Sequence, residues 1–128
     1  MFEAWVLCLA MVIHFEAATE PIDGQFMVAM SVWNRAQGDK NRLCEEAYKP
    51  HAYSGLTKRP PIPPEDNKAF KHAVKIAQLS AHMKDFTGGV DHYHTLQVSP
   101  NWAYGRDKRL EMAGVYGNHV TYRPKSKK

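Results

Sequence analysis

One carboxylate, Glu16, lies among apolar neighbours in a pattern that suits acid/base chemistry. Along a helix at about 100° per residue, Trp5, Leu9 and Val12 fall within about 40° of one another. Glu16 falls in the middle of the same stripe. A carboxylate that faces apolar packing loses hydration, which favours the protonated form that a general acid needs. The alternative is that the helix ends before this residue, so that Glu16 faces solvent or pairs with Arg35.

A second group of chemistry-bearing residues, in segment 85–94, surrounds a glycine turn. On a strand, His92 and His94 would share one face, because successive side chains alternate. With one more histidine and one aspartate they could hold a zinc ion and leave one coordination position open for catalysis. The other interpretation is that these side chains hydrogen-bond the sheet and frame a polar groove, because a lone H-x-H lacks the second ligand pair of strong zinc signatures. The candidate ligands are His92, His94, His119 and either Asp85 or Asp91.

Trp102 is an aromatic residue in a segment that contains Pro, Asn and Gly, which indicates a loop. Near a groove, its ring could stack on a sugar ring or could cap the core from above. Trp5 and Trp33 occur in helical patterns, where core packing is the expected role.

Length and composition predict one domain over residues 1–128, because 44% apolar residues supply a core for a chain of this size. A net charge of +4 favours anionic partners such as nucleic acid, anionic lipid or an acidic wall polymer, without choosing among them. Residues 124–128 are expected to form a flexible basic tail. Cys8 and Cys44 have no metal-binding spacing and no dense cysteine framework around them, so two buried thiols are expected.

The continuous apolar run from Trp5 to Ile13 is too short to cross a bilayer. It also lacks the basic start and the small-residue cleavage site of a secretory signal. We therefore expect no stable membrane insertion and no export signal.

The predicted elements are helical first and extended last, which indicates an α+β fold with a small antiparallel sheet. Clustered prolines over 58–64 predict a stiff surface connection between the two helical parts. Helices are predicted over 3–17, 24–36 and 64 to about 84, strands over 91–98 and 118–123, and a short helix or turn over 106–113.

Several separated blocks, in the same order, resemble the cell-wall hydrolase family of spore-cortex-lytic enzymes, which is similar to lytic transglycosylases. Phe86, Asp91 and Thr121 depart from the family pattern, and residues 37–70 match it poorly outside 52–54. The most specific block contains Leu9-Ala10, Glu16-Ala17, Glu20-Pro21, Gly24-Gln25, Val28-Ala29, Val32 and Asn34-Arg35. Later blocks are Ala52-Tyr53-Ser54, Asp85, Thr87-Gly88-Gly89, His92-Tyr93-His94, Pro100, Trp102-Ala103, Gly117, His119 and Tyr122-Arg123.

This resemblance implies a mainly helical, lysozyme- or transglycosylase-like lobe, a small antiparallel sheet, and a substrate cleft between them. The family's catalytic glutamate corresponds to Glu16, the residue that the helical pattern also selects. The resemblance implies no metal and no cofactor. The groove would be lined by Ser54, His92, Tyr93, Trp102 and His119.

A lytic transglycosylase, as the resemblance suggests, works with one glutamic acid, whereas most glycosidases use two carboxylates. Asp85 and Asp91 are only candidates for a second one. The expected substrate is the peptidoglycan glycan strand, cut between N-acetylmuramic acid and N-acetylglucosamine to leave 1,6-anhydro ends, and nucleic acid is not an expected partner.

The expected setting is a monomeric phage-type lysin, released from the host cytoplasm or carried in a virion. Two alternatives stay open. One is a zinc amidase or peptidase built on His92, His94 and His119, and the other is a wall-binding or virion protein without activity.

Overall fold

The computed structural model describes residues 2–50 and 52–126, and within them four helices precede a three-stranded sheet. This order confirms the predicted α+β class. The helices are α1 (Ala4–Ala17), α2 (Ile22–Arg35), α3 (Leu43–Ala47) and α4 (Lys68–Ser80), and the strands are β1 (His92–Thr95), β2 (Leu110–Tyr116) and β3 (His119–Pro124). Two 3₁₀ turns, Lys40–Arg42 and Ser54–Leu56, lie in the middle of the chain.

Helix α1 is the central element of the helical lobe, because it packs against α2, α3 and α4. Its middle residues, from Leu9 to Ile13, are each at most 1% exposed. A helix that is buried on all sides is apolar on all sides, which explains the continuous apolar run. Among the described residues, no helix has the length and apolar character that crossing a membrane requires.

Helix α4 is shorter than the prediction of 64 to about 84. It begins at Lys68 because the Asn67 side chain caps it, accepting a hydrogen bond from the Phe70 backbone N–H at 3.0 Å. The preceding residues form a turn, in which Asn67 N donates to the Pro64 carbonyl. The proline-rich connection, 58–64, runs between the second 3₁₀ turn and this cap without helix or strand.

The sheet is antiparallel, with strand order β1-β3-β2. The prediction of a short helix or turn over 106–113 is wrong, because β2 begins at Leu110. A register shift between Met112 and Gly114 interrupts the two-residue alternation that marks a strand, so the sequence pattern is obscured. Gly117, with a φ of 55°, and Asn118 form the hairpin turn that leads into β3.

A disulfide joins Cys8 of α1 to Cys44 of α3, with the two Cα atoms 5.1 Å apart. The prediction of two buried thiols is therefore wrong. The cysteines are 36 residues apart in sequence, and only the packing of α3 against α1 brings them together.

The basic end of the chain begins inside the sheet. Pro124 is the last residue of β3, and Lys125 N donates to the Arg109 carbonyl at 2.8 Å. The last two residues of the predicted tail, Lys127 and Lys128, lie outside the described residues.

Candidate active site

Glu16, in the last turn of α1, lies where the helices meet the sheet. Its Oε2 accepts a hydrogen bond from the Gly55 backbone N–H at 3.0 Å. Its Oε1 accepts one from the Tyr93 hydroxyl, also at 3.0 Å. One donor comes from the 3₁₀ turn Ser54–Leu56 and the other from β1, so the half-buried carboxylate is held from two sides.

The end of α2 fixes the strand that carries Tyr93. Arg35 Nε donates to the Asp91 carbonyl at 2.7 Å, and Asn34 Nδ2 donates to the Val90 carbonyl at 2.8 Å. The Arg35 guanidinium also lies over the Tyr53 ring, 5.2 Å from its centroid. The alternative in which Glu16 pairs with Arg35 is therefore not observed. Arg35 instead contacts the backbone that leads into β1 and the ring of Tyr53.

Two tyrosines, the buried Tyr53 and the half-buried Tyr93, stand beside the carboxylate. Burial raises the pKa of Tyr53 to about 12, and its hydroxyl lies 3.0 Å from Ser31 Oγ. Burial, together with the negative charge of Glu16, raises the pKa of Tyr93 well above its ordinary value. Tyr93 therefore keeps its proton around neutral pH and remains a donor to Glu16.

Gln25 holds the end of α1 that carries Glu16. Its Nε2 donates to the carbonyls of Ala17 and Glu20, each at 3.2 Å. Its Oε1 lies 2.8 Å from His72 Nε2 on α4. The side chain joins the last carbonyl of α1 to the turn that follows it, so the helix end that carries the catalytic candidate is fixed locally.

Asp85 organises the glycine loop that leads into β1. Its carboxylate accepts hydrogen bonds from the backbone N–H groups of Thr87 and Gly89, both at 2.8 Å, and from Asn34 Nδ2 at 3.2 Å. Partial burial works to raise the pKa of Asp85, but these donors outweigh it and lower the pKa below its ordinary value. A carboxylate with so many donors from its own loop has a positioning role there.

The side of β1 that faces the helices, called the inner face, carries Tyr93. On the neighbouring strand β3, His119 lies on the same side, with its ring centroid 4.8 Å from that of Tyr93. His119 is 2% exposed, and burial lowers the pKa of its imidazole. The site around Glu16 therefore combines a carboxylate, a phenol and an uncharged imidazole.

The opposite side of β1, called the outer face, carries His92 and His94. His92 Nδ1 lies 2.9 Å from Asp91 Oδ1, and its ring packs edge-on against Trp102 with centroids 5.2 Å apart. His94 Nε2 lies 2.9 Å from the Tyr122 hydroxyl. This cluster is part of a separate packing unit on the far side of the sheet.

The predicted site residues therefore divide into two groups. Tyr93 and His119 join Glu16 on the inner face, and Ser54 directly precedes Gly55 in the turn that binds the carboxylate. His92 and Trp102 lie together on the outer face.

The zinc alternative does not fit this geometry. His92 and His94 face outward, whereas His119 faces the helices, so the three rings cannot converge on one ion. Within residues 2–50 and 52–126, no group of three His, Cys, Asp or Glu side chains is arranged to hold a metal.

Sequence reasoning missed Gly55 and Glu20. Gly55 contributes a backbone N–H, which no side-chain pattern reveals, and it lies in the segment where the family pattern is weakest. Glu20 contacts His119, with Oε1 3.1 Å from Nδ1. The signal that could have pointed to Glu20 is its occurrence in the Glu20-Pro21 block, which resembles the family pattern.

Comparison with known proteins agrees with this architecture. The fold is similar to that of the catalytic domain of the Bacillus cereus SleB protein in its crystal structure, with a TM-score of 0.71 and 19% identity, over 94% of this chain and 91% of that chain. At this identity the likeness shows the fold. No curated protein matches the sequence. The model of the family described as Cell Wall Hydrolase matches residues 19–122, a range that begins after Glu16. Because this match covers most of the sequence, the chain belongs to the cell wall hydrolase family.

Proposed function

We propose that the protein cleaves peptidoglycan glycan strands between N-acetylmuramic acid and N-acetylglucosamine, with Glu16 as its single acid/base. Membership of the cell wall hydrolase family supports a peptidoglycan-degrading enzyme. The observation that carries the finer proposal is the Glu16 carboxylate, held by Gly55 N and the Tyr93 hydroxyl at the junction of helices and sheet.

The two other carboxylates considered for a second catalytic role are already engaged. Asp85 accepts hydrogen bonds from its own loop, and Asp91 contacts His92 on the outer face. A glycosidase that uses two carboxylates needs both of them beside the glycosidic bond that is cut. Their carboxyl groups lie about 5 to 9.5 Å apart, depending on whether one attacks the sugar directly or activates a water molecule. A one-carboxylate reaction therefore fits these residues better.

In that reaction Glu16 acts first as an acid and then as a base. It gives its proton to the glycosidic oxygen as the bond from C1 to that oxygen breaks. The C6 hydroxyl of the same muramic residue then bonds to C1, and its proton returns to Glu16. The product is a 1,6-anhydro end, and no water is consumed.

Tyr93 has the clearest supporting role. Its hydroxyl stabilises the Glu16 carboxylate that forms once the proton has been given to the leaving oxygen. Ser54 and His119 are the groove candidates on the same side. His92 and Trp102 would reach substrate only if a glycan strand passed around β1, which is an edge strand of the sheet.

The test is mass spectrometry of the fragments released from purified sacculi by the wild type and by Glu16→Gln, each with and without EDTA. We expect EDTA-resistant fragments with 1,6-anhydro-muramic ends, and a loss on the order of 1,000-fold or more in Glu16→Gln. Glu45→Gln, an exposed glutamate on α3, is the matched control and should behave as wild type.

The other outcomes also discriminate. Reducing-end products would indicate hydrolysis, and chelator-sensitive release of free peptides would move the chemistry to the histidines. Binding to sacculi without release of fragments would indicate a wall-binding protein. For the biological setting, we propose a monomeric phage-type lysin.

A further inference from the structure

Glu20 is a half-buried carboxylate that the proposed reaction does not use. It lies in the turn between α1 and α2, with its side chain 16% exposed. Its Oε1 accepts a hydrogen bond from Asn118 N at 3.1 Å and lies 3.1 Å from His119 Nδ1. One carboxylate oxygen thus holds the start of β3 and contacts a buried imidazole.

The contacts of His119 continue toward the catalytic candidate. Its ring lies edge-on to the Tyr93 ring, and the Tyr93 hydroxyl donates to Glu16 Oε1. Glu20, His119, Tyr93 and Glu16 therefore form a continuous row of contacting side chains. Such a row allows a charge at one end to influence the geometry at the other.

The negative charge of Glu20 influences which nitrogen of His119 carries the proton. A neutral imidazole carries one N–H, and a carboxylate beside Nδ1 favours the tautomer with its proton on that atom. The two atoms are close but are not aligned as a full hydrogen bond, so the attraction is mainly electrostatic. The Nδ1–H tautomer leaves Nε2 as an acceptor.

Four titratable groups surround the imidazole. Glu20 comes from the α1–α2 turn, Glu16 from α1, and Tyr93 and His94 from β1. Burial is the largest influence on the pKa of His119 and lowers it, while the two glutamates raise it and His94 lowers it. The ring is therefore neutral at neutral pH and carries one proton, which can lie on either of its two nitrogens.

We propose that Glu20 is a positioning residue, which fixes the Nδ1–H tautomer of His119 and, through the rings of His119 and Tyr93, the placement of the Glu16 carboxylate. The kinetic consequence rests on the proposed function. The tautomer and the ring contacts do not depend on it.

The direct test is NMR of ¹⁵N-labelled protein, recording long-range ¹H–¹⁵N correlations of the imidazoles across a pH series. The wild type should show His119 with its proton on Nδ1. In Glu20→Gln the titration midpoint of His119 should fall, because a neighbouring negative charge that favours the imidazolium has been removed. Asp23→Asn, which removes a nearby carboxylate at the start of α2, should leave the midpoint unchanged.

A proton on Nε2 in the wild type would overturn the proposal, as would the same His119 midpoint in the wild type and in Glu20→Gln. The wild-type tautomer can be read even if the variant fails to fold. Neither result requires an active enzyme, so failure here is distinct from failure of the proposed function.

The kinetic test uses sacculi as substrate. Glu20→Gln should lower kcat on the order of 10-fold with little change in KM, as is usual for residues that orient a reacting group. In a His119→Gln background, Glu20→Gln should change kcat less than twofold, because Glu20 acts through the imidazole. If the kcat losses of the two single variants multiply in the double variant, Glu20 does not act through His119.

Discussion

The two faces of β1 present similar residue types with different surroundings. On the inner face, Tyr93 meets a carboxylate from α1 and a buried imidazole from β3. On the outer face, His94 meets the hydroxyl of Tyr122 and the ring of Trp102. The first arrangement brings a hydroxyl donor to a carboxylate, whereas the second joins aromatic rings in a packed cluster.

This difference shows that residues adjacent in the sequence of a strand need not belong to the same site. His92, Tyr93 and His94 are consecutive, but the two-residue period of the strand separates the tyrosine from both histidines. The groups that accompany Tyr93 on the inner face come from α1 and from the 3₁₀ turn around Gly55, both distant in sequence from β1. The following changes should separate the two faces by experiment.

The largest expected effect concerns the disulfide that ties α1, behind the inner face, to α3. Its half-cystines are 36 residues apart, so closing this loop should contribute about 4 kcal/mol to the free energy of unfolding. Urea unfolding followed by circular dichroism, with and without TCEP, measures the difference. The double variant Cys8→Ala/Cys44→Ala should not respond to TCEP, and an unchanged wild-type midpoint would contradict the prediction.

Gly55→Ala should damage the inner face without unfolding the outer one. A Cβ at this position would lie 2.9 Å from Glu16 Oε2 and 2.9 Å from Phe15 Cβ, so the carboxylate must move. A displacement of about 1 Å at a reacting group can cost on the order of 100-fold in kcat. Gly24→Ala is the control, because its nearest contact is an ordinary 3.5 Å. Equal activity of both variants would show that Gly55 N does not fix the carboxylate.

One pair of Tyr→Phe changes compares the two faces with the same chemical change. Tyr93→Phe removes the donor to Glu16, so it should lower kcat about 10-fold and cost about 1.5 to 3 kcal/mol of stability, the usual contribution of a hydrogen bond to a charged group. Tyr122→Phe removes the partner of His94 and should cost about 1 kcal/mol of stability, with kcat within twofold of wild type. Kinetics on sacculi and thermal unfolding of both variants give the result, and a reversed pattern would assign the chemistry to the outer face.

The smallest expected effect concerns the glycine loop that precedes β1. The folded-state pKa of Asp85 is lowered, so its contribution is present above the unfolded pKa of about 3.8 and is lost as pH falls through the folded value. Because Asp85 is largely exposed, solvent screening limits this contribution to less than about 1 kcal/mol. Asp85→Asn should therefore be slightly less stable at pH 7, with the difference vanishing at low pH.

Urea unfolding at pH 7 and at pH 3 measures this difference. Asp66→Asn, an exposed carboxylate before α4, is the control and should match the wild type at both pH values. A difference for Asp85→Asn that grows at low pH would mean that the loop does not depend on the ionised carboxylate.

The sequence carried enough information to predict α1, α2 and α4, because apolar content and capping residues act locally. It was less informative where a structure depends on distant contacts. Strand β2 was missed because the irregularity between Met112 and Gly114 removes its alternation, and the Cys8–Cys44 pairing depends on helix packing.

The helical pattern gave an incomplete reason for selecting Glu16, whose catalytic role stays a prediction. Helix α1 is buried on nearly every side, so an apolar stripe alone does not distinguish one of its faces. What distinguishes Glu16 is its place in the last turn, within reach of Gly55 and Tyr93. Both partners arrive from segments that follow α1 by many residues, and helical periodicity cannot reveal them.

The contact with Gly55 makes the two oxygens of the Glu16 carboxyl group inequivalent. A backbone N–H can only donate, so Gly55 N occupies one of the two acceptor positions of Oε2 and favours negative charge on that oxygen. The Tyr93 hydroxyl can rotate and accept, so a proton on the carboxyl group is better accommodated on Oε1 than on Oε2. If Glu16 acts as the proposed general acid, the glycosidic oxygen would receive its proton from Oε1, and the glycan strand would enter the site from the side of Tyr93.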